Sequence, residues 1–400
     1  MDDELWLIVF SVSCFWVLYH HFFYPFLLAW MSAGKEPAKP QTYRRGYRET
    51  SADFGLPTIT IVMPTYNEEA CIANKIYNLG LLDYPSDKLF VIIIFDGCTD
   101  NTVVRAKAVL QQPENKHLKV SFIEKKDNQG KIAAVNDAVA LSESDMIALT
   151  DVSAMLSVNS LLVVANLLVN EKNGVVCGRY GFFHDHTDGE RAYWRYQGNI
   201  KQCESCLGST LGVHGAFYAL RRELFVPLPV DTINEDFSLP AMILEKGFNS
   251  IYCPQINTIE AESVSETDDF RRRVRISQGN LQQVLRHWRL LMPRRGMIAF
   301  MFFSGKFLRA VMPLFIAMAV IAAFALADDI RLFTFVFVIL STTYGVSLYY
   351  LLCGGVPKYR YIRLLCYIAS GHIAMTIGCL QYIFWRTPTA WIKLKKDHEE

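Results

Sequence analysis

An excess of charge of either sign is what this sequence most plainly lacks: 40 Lys and Arg stand against 39 Asp and Glu, for a formal net charge of +1. Without a basic excess there is no electrostatic case for nucleic acid as the main partner. Cysteine patterning is missing as well. The ten cysteines are scattered, several within apolar runs (Cys14, Cys353, Cys366, Cys379), and Cys203-x-x-Cys206 has no second pair at zinc spacing. That usage argues against a zinc site and against a disulfide framework, and suits a reduced, cytoplasmic domain. No internal repeat or low-complexity segment is visible, and the GxxxxGK spacing of a P-loop is absent. The first residues carry neither the basic start nor the small-residue cleavage site of a signal peptide.

What the chain has instead is apolar sequence at its two ends. The composition is 52% hydrophobic with a mean hydropathy of +0.17. Leu5 to Met31 is apolar and aromatic, broken only by His20, His21 and Pro25. A spanning helix takes about 20 such residues, so the run reads as a retained membrane anchor over 1–34. Asp2, Asp3 and Glu4 precede it, while Lys35, Lys39, Arg44, Arg45 and Arg48 come after it. The positive-inside rule then places the chain beyond this anchor in the cytoplasm. Gly34 to Pro57, with its Pro, Gly and charges, reads as a linker.

From about Pro57 to Arg286, short apolar runs alternate with helical patterns. Strands are predicted at Thr58–Met63, Leu89–Phe95, Lys119–Ile123 and Met146–Thr150, with helices at Glu69–Leu79, Thr102–Gln111 and Lys131–Leu141. Alternating βα units imply an α/β fold: a mainly parallel, Rossmann-like sheet with helices on both faces. Ligands of such sheets collect beyond the carboxyl ends of the strands. Asp151 stands at one such end, either as a ligand for a divalent cation that holds a diphosphate or as a cap for the next helix. After the first strand come Thr65, Tyr66 and Glu68, and after the second comes Asp96, an aromatic wall and carboxylates suited to a base and a ribose. Asp100 and Asn101 read as the start and cap of the next helix. Gly130-Lys131 opens another helix, a place that suits a phosphate.

The segments VMPTYNEE, IIIFDGCTD, NQGKIAAVN, ALTDVSA and NEDFSL, in this order and spacing, resemble the membrane-embedded family-2 glycosyltransferases. That group has a GT-A fold and includes cellulose, hyaluronan, chitin and poly-N-acetylglucosamine synthases. The resemblance covers roughly Pro57 to Arg289. It implies that Asp96 contacts a uracil, with Thr65, Tyr66 and Glu68 beside the nucleoside and Lys131 near the nucleotide. It makes Asp151 the first acid of the DxD metal motif, for Mg²⁺ or Mn²⁺, and Asp236 of Asn234-Glu235-Asp236 the general base, with Glu235 beside it. His214, Gly215 and Gln278 fall in the acceptor region, where Trp194 is a further candidate; for Trp194 and His214 a place in the core is the competing reading. The implied partners are a nucleotide-sugar donor, a membrane-associated glycan or lipid acceptor and the bilayer, in a bacterial inner (plasma) membrane with the catalytic domain cytoplasmic.

Two departures qualify this. Ser153 replaces the second acid of DxD, and a neutral hydroxyl is a poorer ligand for a hard cation than a carboxylate. In place of the processive QxxRW motif stands Arg271 to Gly279 (RRRVRISQG). Arg275 matches the motif arginine, Arg272 takes the glutamine's place and Ile276 the tryptophan's. These arginines either neutralise the departing nucleoside diphosphate or form a basic helix at the lipid headgroups. Isoleucine has no flat face for an acceptor sugar, so the expected products are short, or a single added sugar. The alternatives are a processive synthase that extrudes its product, transfer onto a polyprenyl-phosphate lipid, and a non-catalytic nucleotide-sugar-binding partner.

Beyond the α/β region, Gln282–Arg295 reads as one amphipathic interface helix. Three apolar runs come next, about Leu308–Ala327, Leu332–Cys353 and Leu364–Trp385. If all three span, the basic residues Lys393, Lys395 and Lys396 fall on the outside, against the positive-inside rule.

Overall fold

The computed structural model describes residues 3–40, 45–183, 188–260, 266–328, 330–355 and 357–384. The end of the third C-terminal run (Trp385) and the basic tail (Lys393, Lys395, Lys396) lie outside these, as do Arg44 and residue 329. The chain divides into two compact units, one of residues 1–31 with 264–387 and one of residues 32–263.

The elements run in order as α1 (Asp3–Leu18), α2 (Tyr24–Ser32), β1 (Ile59–Thr65), α3 (Ile72–Gly80), β2 (Leu89–Asp96), α4 (Thr102–Leu110), β3 (Lys119–Lys125), α5 (Lys131–Ala140), β4 (Met146–Thr150) and β5 (Ala154–Leu156). They continue as α6 (Ser160–Leu168), β6 (Asn173–Phe182), α7 (Asp188–Cys206), β7 (Phe217–Arg221), α8 (Glu235–Glu245), β8 (Asn249–Glu260), α9 (Glu266–Arg286), α10 (Met297–Phe302), α11 (Leu308–Ala325), α12 (Arg331–Cys353) and α13 (Arg360–Phe384).

Eight strands form one mixed sheet in the order β3-β2-β1-β4-β7-β6-β8-β5. β1 pairs in parallel with β2 and β4, β2 with β3, and β6 with β8, while β7 runs antiparallel to both β4 and β6. β5 is antiparallel to β8. Every residue of β1 is buried, as expected of a strand covered by helices on both faces. One face packs Ile72, Ile76 and Leu79 of α3 with Ala106 of α4 and the leucines of α6. The other packs Ile132, Val135 and Val139 of α5 with Leu239 and Ile243 of α8. The four predicted strands therefore stand where the apolar runs placed them. The antiparallel β7 is the element that the βα alternation did not announce, and it delivers its N-terminal end to the edge where the parallel strands deliver their carboxyl ends.

The stretch read as a linker is tied down. Arg45, nearly buried, donates to Asp53 at 2.9 Å and to Asp83 at 3.1 Å.

In the other unit, four helices are long and apolar enough to cross a membrane: Asp3–Ser32, Met297–Ala325, Arg331–Cys353 and Tyr361–Phe384. The first contains a π-helical turn over Tyr19–Phe23. α9 crosses α13 closely at Gly378, where a Cβ would stand 2.5 Å from the Val274 carbonyl oxygen. Small residues permit this kind of backbone approach between apolar helices. The predicted single helix over Gln282–Arg295 is broken. α9 ends at Arg286, His287 leaves helical geometry (φ −106°, ψ 28°), and two short 3₁₀ turns, Trp288–Leu291 and Pro293–Arg295, come after it. Pro293 brings no N–H to continue an α-helix.

Candidate active site

The loops after β1 and β2 are zipped together by side chains. Asn67, at φ 53°, accepts the Thr99 amide at 2.8 Å and donates to its hydroxyl at 3.1 Å. The Thr102 hydroxyl accepts the Glu68 amide at 2.8 Å, and Glu69 accepts the Asn101 amide at 3.0 Å. Asp100 caps α4, accepting the Thr102 amide at 3.0 Å, whereas Asn101, the residue in the cap position, makes no side-chain cap bond. Thr65 is buried and its hydroxyl turns back to the Met63 carbonyl. Tyr66 and Glu68 are half-buried beside it.

Asp96 is fully buried at the end of β2. One of its carboxylate oxygens accepts the Gln129 amide at 3.0 Å and the other the Gly130 amide at 2.7 Å. Gly97 follows at φ +69°, and a Cβ there would lie 2.5 Å from the Asn128 amide nitrogen. Two neighbouring strand ends are thereby fastened to the turn that starts α5, and Gly130 at φ +94° sends Lys131 toward β4.

Lys131 is the centre of the arrangement. Its ammonium donates to Asp151 at 2.8 Å and lies 2.5 Å from Glu235. Burial works against its charge, but the carboxylates of Asp151 and Glu235 outweigh it and hold the lysine above its ordinary range. Residues from β2, α5, β4 and α8 thus meet at one edge of the sheet. Glu235 and Asp236 form the first turn of α8, where anionic side chains complement the helix dipole.

The wall between them is the loop before β7. The Val213 amide donates to the Asp236 carbonyl at 2.8 Å. A Cβ on Gly215 would stand 3.6 Å from Glu235 Oε1, 3.8 Å from Asp236 Cβ and 3.8 Å from Lys131 Nζ, so the bare glycine faces all three. Gly212, at φ +87° with the Phe237 ring 2.8 Å from an added Cβ, admits no other residue without strain. α7 clamps this loop: Lys201 donates to the Gly212 carbonyl at 2.8 Å, and Glu204 accepts the Leu211 amide at 2.9 Å. His214 Nδ1 accepts the Ala216 amide at 3.1 Å, which leaves the proton of the neutral ring on Nε2. Its ring stacks on Tyr180 at 3.7 Å, with Trp194 edge-on to both.

Beneath the β4–β5 turn lies a group that the sequence pattern does not single out. Lys75 of α3 is wholly buried; it donates to the Thr150 hydroxyl at 2.8 Å and to the Ala154 carbonyl. The Thr150 hydroxyl in turn donates to the Ala216 carbonyl at 2.9 Å, which also accepts the Asp151 amide at 3.2 Å. Burial lowers Lys75 to about 7, and the charges of Asp151 and Glu260 offset only part of that. Lys201 and Glu204 are likewise residues the sequence pattern leaves unmarked. Their only signal in sequence is a polar helix ahead of a glycine-rich loop.

Arg272, Arg275 and Gln278 belong to the other compact unit, on α9. Arg272 is half-buried and Arg275 exposed. Gln278 donates to Gln381 of α13 at 2.5 Å. Arg273 pairs with Asp269 at 2.5 Å and lies 3.9 Å from the centre of the Tyr367 ring.

Among the described residues no three His, Cys, Asp or Glu side chains are grouped as a metal cage. Asp151 directly follows β4, with the half-buried Ser153 two residues on.

The chain resembles known glycosyltransferases in sequence and in fold. The chain is similar to the probable glycosyltransferase YdaM of Bacillus subtilis, 25% identical over 306 residues that make up 72% of this chain and 68% of that protein. It is 28% identical to the beta-monoglucosyldiacylglycerol synthase of Nostoc sp. over 64% of this chain. It is 23% identical to the poly-beta-1,6-N-acetyl-D-glucosamine synthase of Staphylococcus aureus over 58% of this chain. The chain spans only about half the length of these last two relatives, 55% and 56%. Among solved structures, a mannosyltransferase of Pyrobaculum calidifontis in complex with GDP-Man and Mn²⁺ has the same fold. Its TM-score is 0.70 at 21% identity, covering 94% of this chain and 99% of that one. The model of glycosyl transferase family 2 matches residues 60–226, and that of glycosyl transferase family group 2 matches residues 147–354, more than half of the chain. The two family models overlap and together take in residues 60–354, which leads to one conclusion: this chain belongs to the family 2 glycosyl transferases.

Proposed function

We propose that the protein is an inverting transferase that moves a sugar from a UDP-linked donor to a membrane-associated glycan or lipid acceptor. The observation that carries this is the Lys131 ammonium bridging Asp151 and Glu235, a cation already seated where a donor's diphosphate would arrive. In the proposed reaction the acceptor hydroxyl attacks C1 of the donor sugar as the bond from C1 to the diphosphate breaks, with inversion at C1. Asp236 takes the hydroxyl proton, since a sugar hydroxyl is a weak nucleophile until that proton is leaving. Lys131 turns its ammonium to the departing diphosphate, a charge-assisted contact made stronger by its partly buried setting.

Asp151 suits a divalent cation only in part. One carboxylate leaves most of the oxygens of a Mg²⁺ or Mn²⁺ shell to the diphosphate and water. When bound, such an ion would neutralise charge on the leaving group. Tyr66, Glu68 and Asp96 would line the nucleoside, Asp96 also keeping the 129–130 amides in place. Gly215 and His214 would border the acceptor. The four long apolar helices support seating in a membrane, with the sheet unit on the cytoplasmic side. Ile276 in place of an aromatic favours short products.

Purified protein incubated with radiolabelled UDP-sugars, and with GDP-mannose as a contrast, tests this. Label transferred from one UDP-sugar, lost in Asp236→Asn, is the expected result. Transfer from GDP-mannose alone would refute the UDP assignment.

A further inference from the structure

Tyr218 is the second residue of β7, paired across the sheet with Leu149 of β4 and Cys177 of β6. Its ring packs with Val135, Leu149 and Leu239 in the core layer under α5 and α8, and only 1% of the residue is exposed. Its hydroxyl is buried and has no hydrogen-bond partner among the described residues. A phenylalanine would fill the same space without that penalty, since an unmade hydrogen bond on a buried hydroxyl costs stability. The fold as it stands gives this oxygen no purpose.

Its surroundings suggest one. Tyr218 lines a small recess together with Lys131, Asp151, Gly215 and Glu235. Burial first, and then the charges of Glu235, Asp236 and Asp151, keep the proton on the phenol, so the group can only donate toward them. Glu235 is 8% exposed, and its carboxylate faces the Lys131 ammonium. If Lys131 turns to a diphosphate, that carboxylate loses a charged contact in a place that water scarcely reaches. A further donor beside it would offset that loss.

We propose that Tyr218 is a positioning residue whose hydroxyl donates to the Glu235 carboxylate in the donor-bound enzyme. The exchange of Lys131 for Tyr218 holds the first turn of α8, and with it Asp236, while the ammonium serves the leaving group. This rests on the reading of Asp236 as base and Lys131 as the diphosphate's cation.

Tyr218→Phe in the full chain is the test, measured beside Asp236→Asn, Glu235→Met and the double variant Glu235→Met/Tyr218→Phe. Without nucleotide, Tyr218→Phe should melt at or above the wild-type temperature. The rise in melting temperature produced by UDP or GDP with Mn²⁺ should shrink, and kcat should fall about 10- to 100-fold with donor KM changed less, the scale of one hydrogen bond to a charged group. The double variant should turn over no more slowly than the worse single one, because both remove the same contact. Wild-type turnover in Tyr218→Phe, with Asp236→Asn inactive, overturns the proposal and leaves the base assignment standing. A normal Asp236→Asn overturns the base assignment instead. A lower melting temperature without nucleotide would mean that the hydroxyl serves packing, and multiplied losses in the double variant would mean that it acts elsewhere than through Glu235; either result overturns the proposal.

Discussion

The two halves of the site are built in opposite ways. On the β1–α5 side, side chains at the strand ends tie neighbouring loops together by accepting backbone amides: Asp96 holds Gln129 and Gly130, and Asn67 holds Thr99. On the β7–α8 side, the wall is a glycine loop with few side chains of its own, and helix α7 holds it from outside through Lys201 and Glu204. The difference teaches where sensitivity should lie. The first half is framed by its own loops, whereas the second depends on α7 side chains that take no part in the proposed chemistry.

The sharpest break is at the base. Asp236→Asn should lower transfer by at least about 100-fold, the usual scale for a lost general base, while donor binding stays near wild type by calorimetry. Turnover close to wild type would end that assignment. Next comes the junction of the halves. Activity should vanish in EDTA and return with Mg²⁺ or Mn²⁺, and Asp151→Ala should abolish the rescue. Full activity in chelator would identify a metal-independent enzyme with Lys131 supplying the positive charge.

The outside clamp comes third. Lys201→Met removes donors to the Gly212 and Val213 carbonyls and should raise acceptor KM about tenfold, the scale of one hydrogen bond to a charged group, with donor KM unmoved. Equal effects on both substrates would erase the contrast between the halves. The smallest effect concerns Lys75, whose proton is held at about 7 in the fold against an ordinary 10.5. Between those values the unfolded chain binds the extra proton, so the lysine's penalty eases and stability rises as pH climbs through the window. Below about 7 both states are protonated and the penalty is complete. Lys75→Met should keep the fold, melt higher at about pH 7 and lose that pH dependence. Melting curves at about pH 7 and about pH 9.5, near the two ends of the window, decide it.

Product length adds one more expectation. An aromatic platform is worth on the order of 1 kcal/mol, or about tenfold in residence time. With Ile276 in its place, labelled chains should stay short in excess unlabelled acceptor; long chains that persist there would sink the idea.

Much of this molecule was legible in one dimension. An apolar run ending in a polar residue is a strand that delivers that residue to an edge, so β1, β2, β3 and β4 stand within two residues of their predicted limits. The starts of α4 and α5 at Thr102 and Lys131 stand where they were expected. The places of Asp96 and Asp151 at strand ends and of Lys131 at the start of α5 were legible for the same reason: local sequence decides where an element begins or ends. Tertiary structure decided what each one touches. That Asp96 faces two amides 33 and 34 residues on depends on β2 and α5 meeting. That Lys131 bridges Asp151 and Glu235 depends on β7 running antiparallel beside β4 and bringing α8 to the same edge. Lys75 reads in sequence as one polar residue on a helix, and Tyr218 as one aromatic in an apolar strand. Burial gives both their meaning, because a charge or a hydroxyl removed from water must answer to whatever the fold has placed around it.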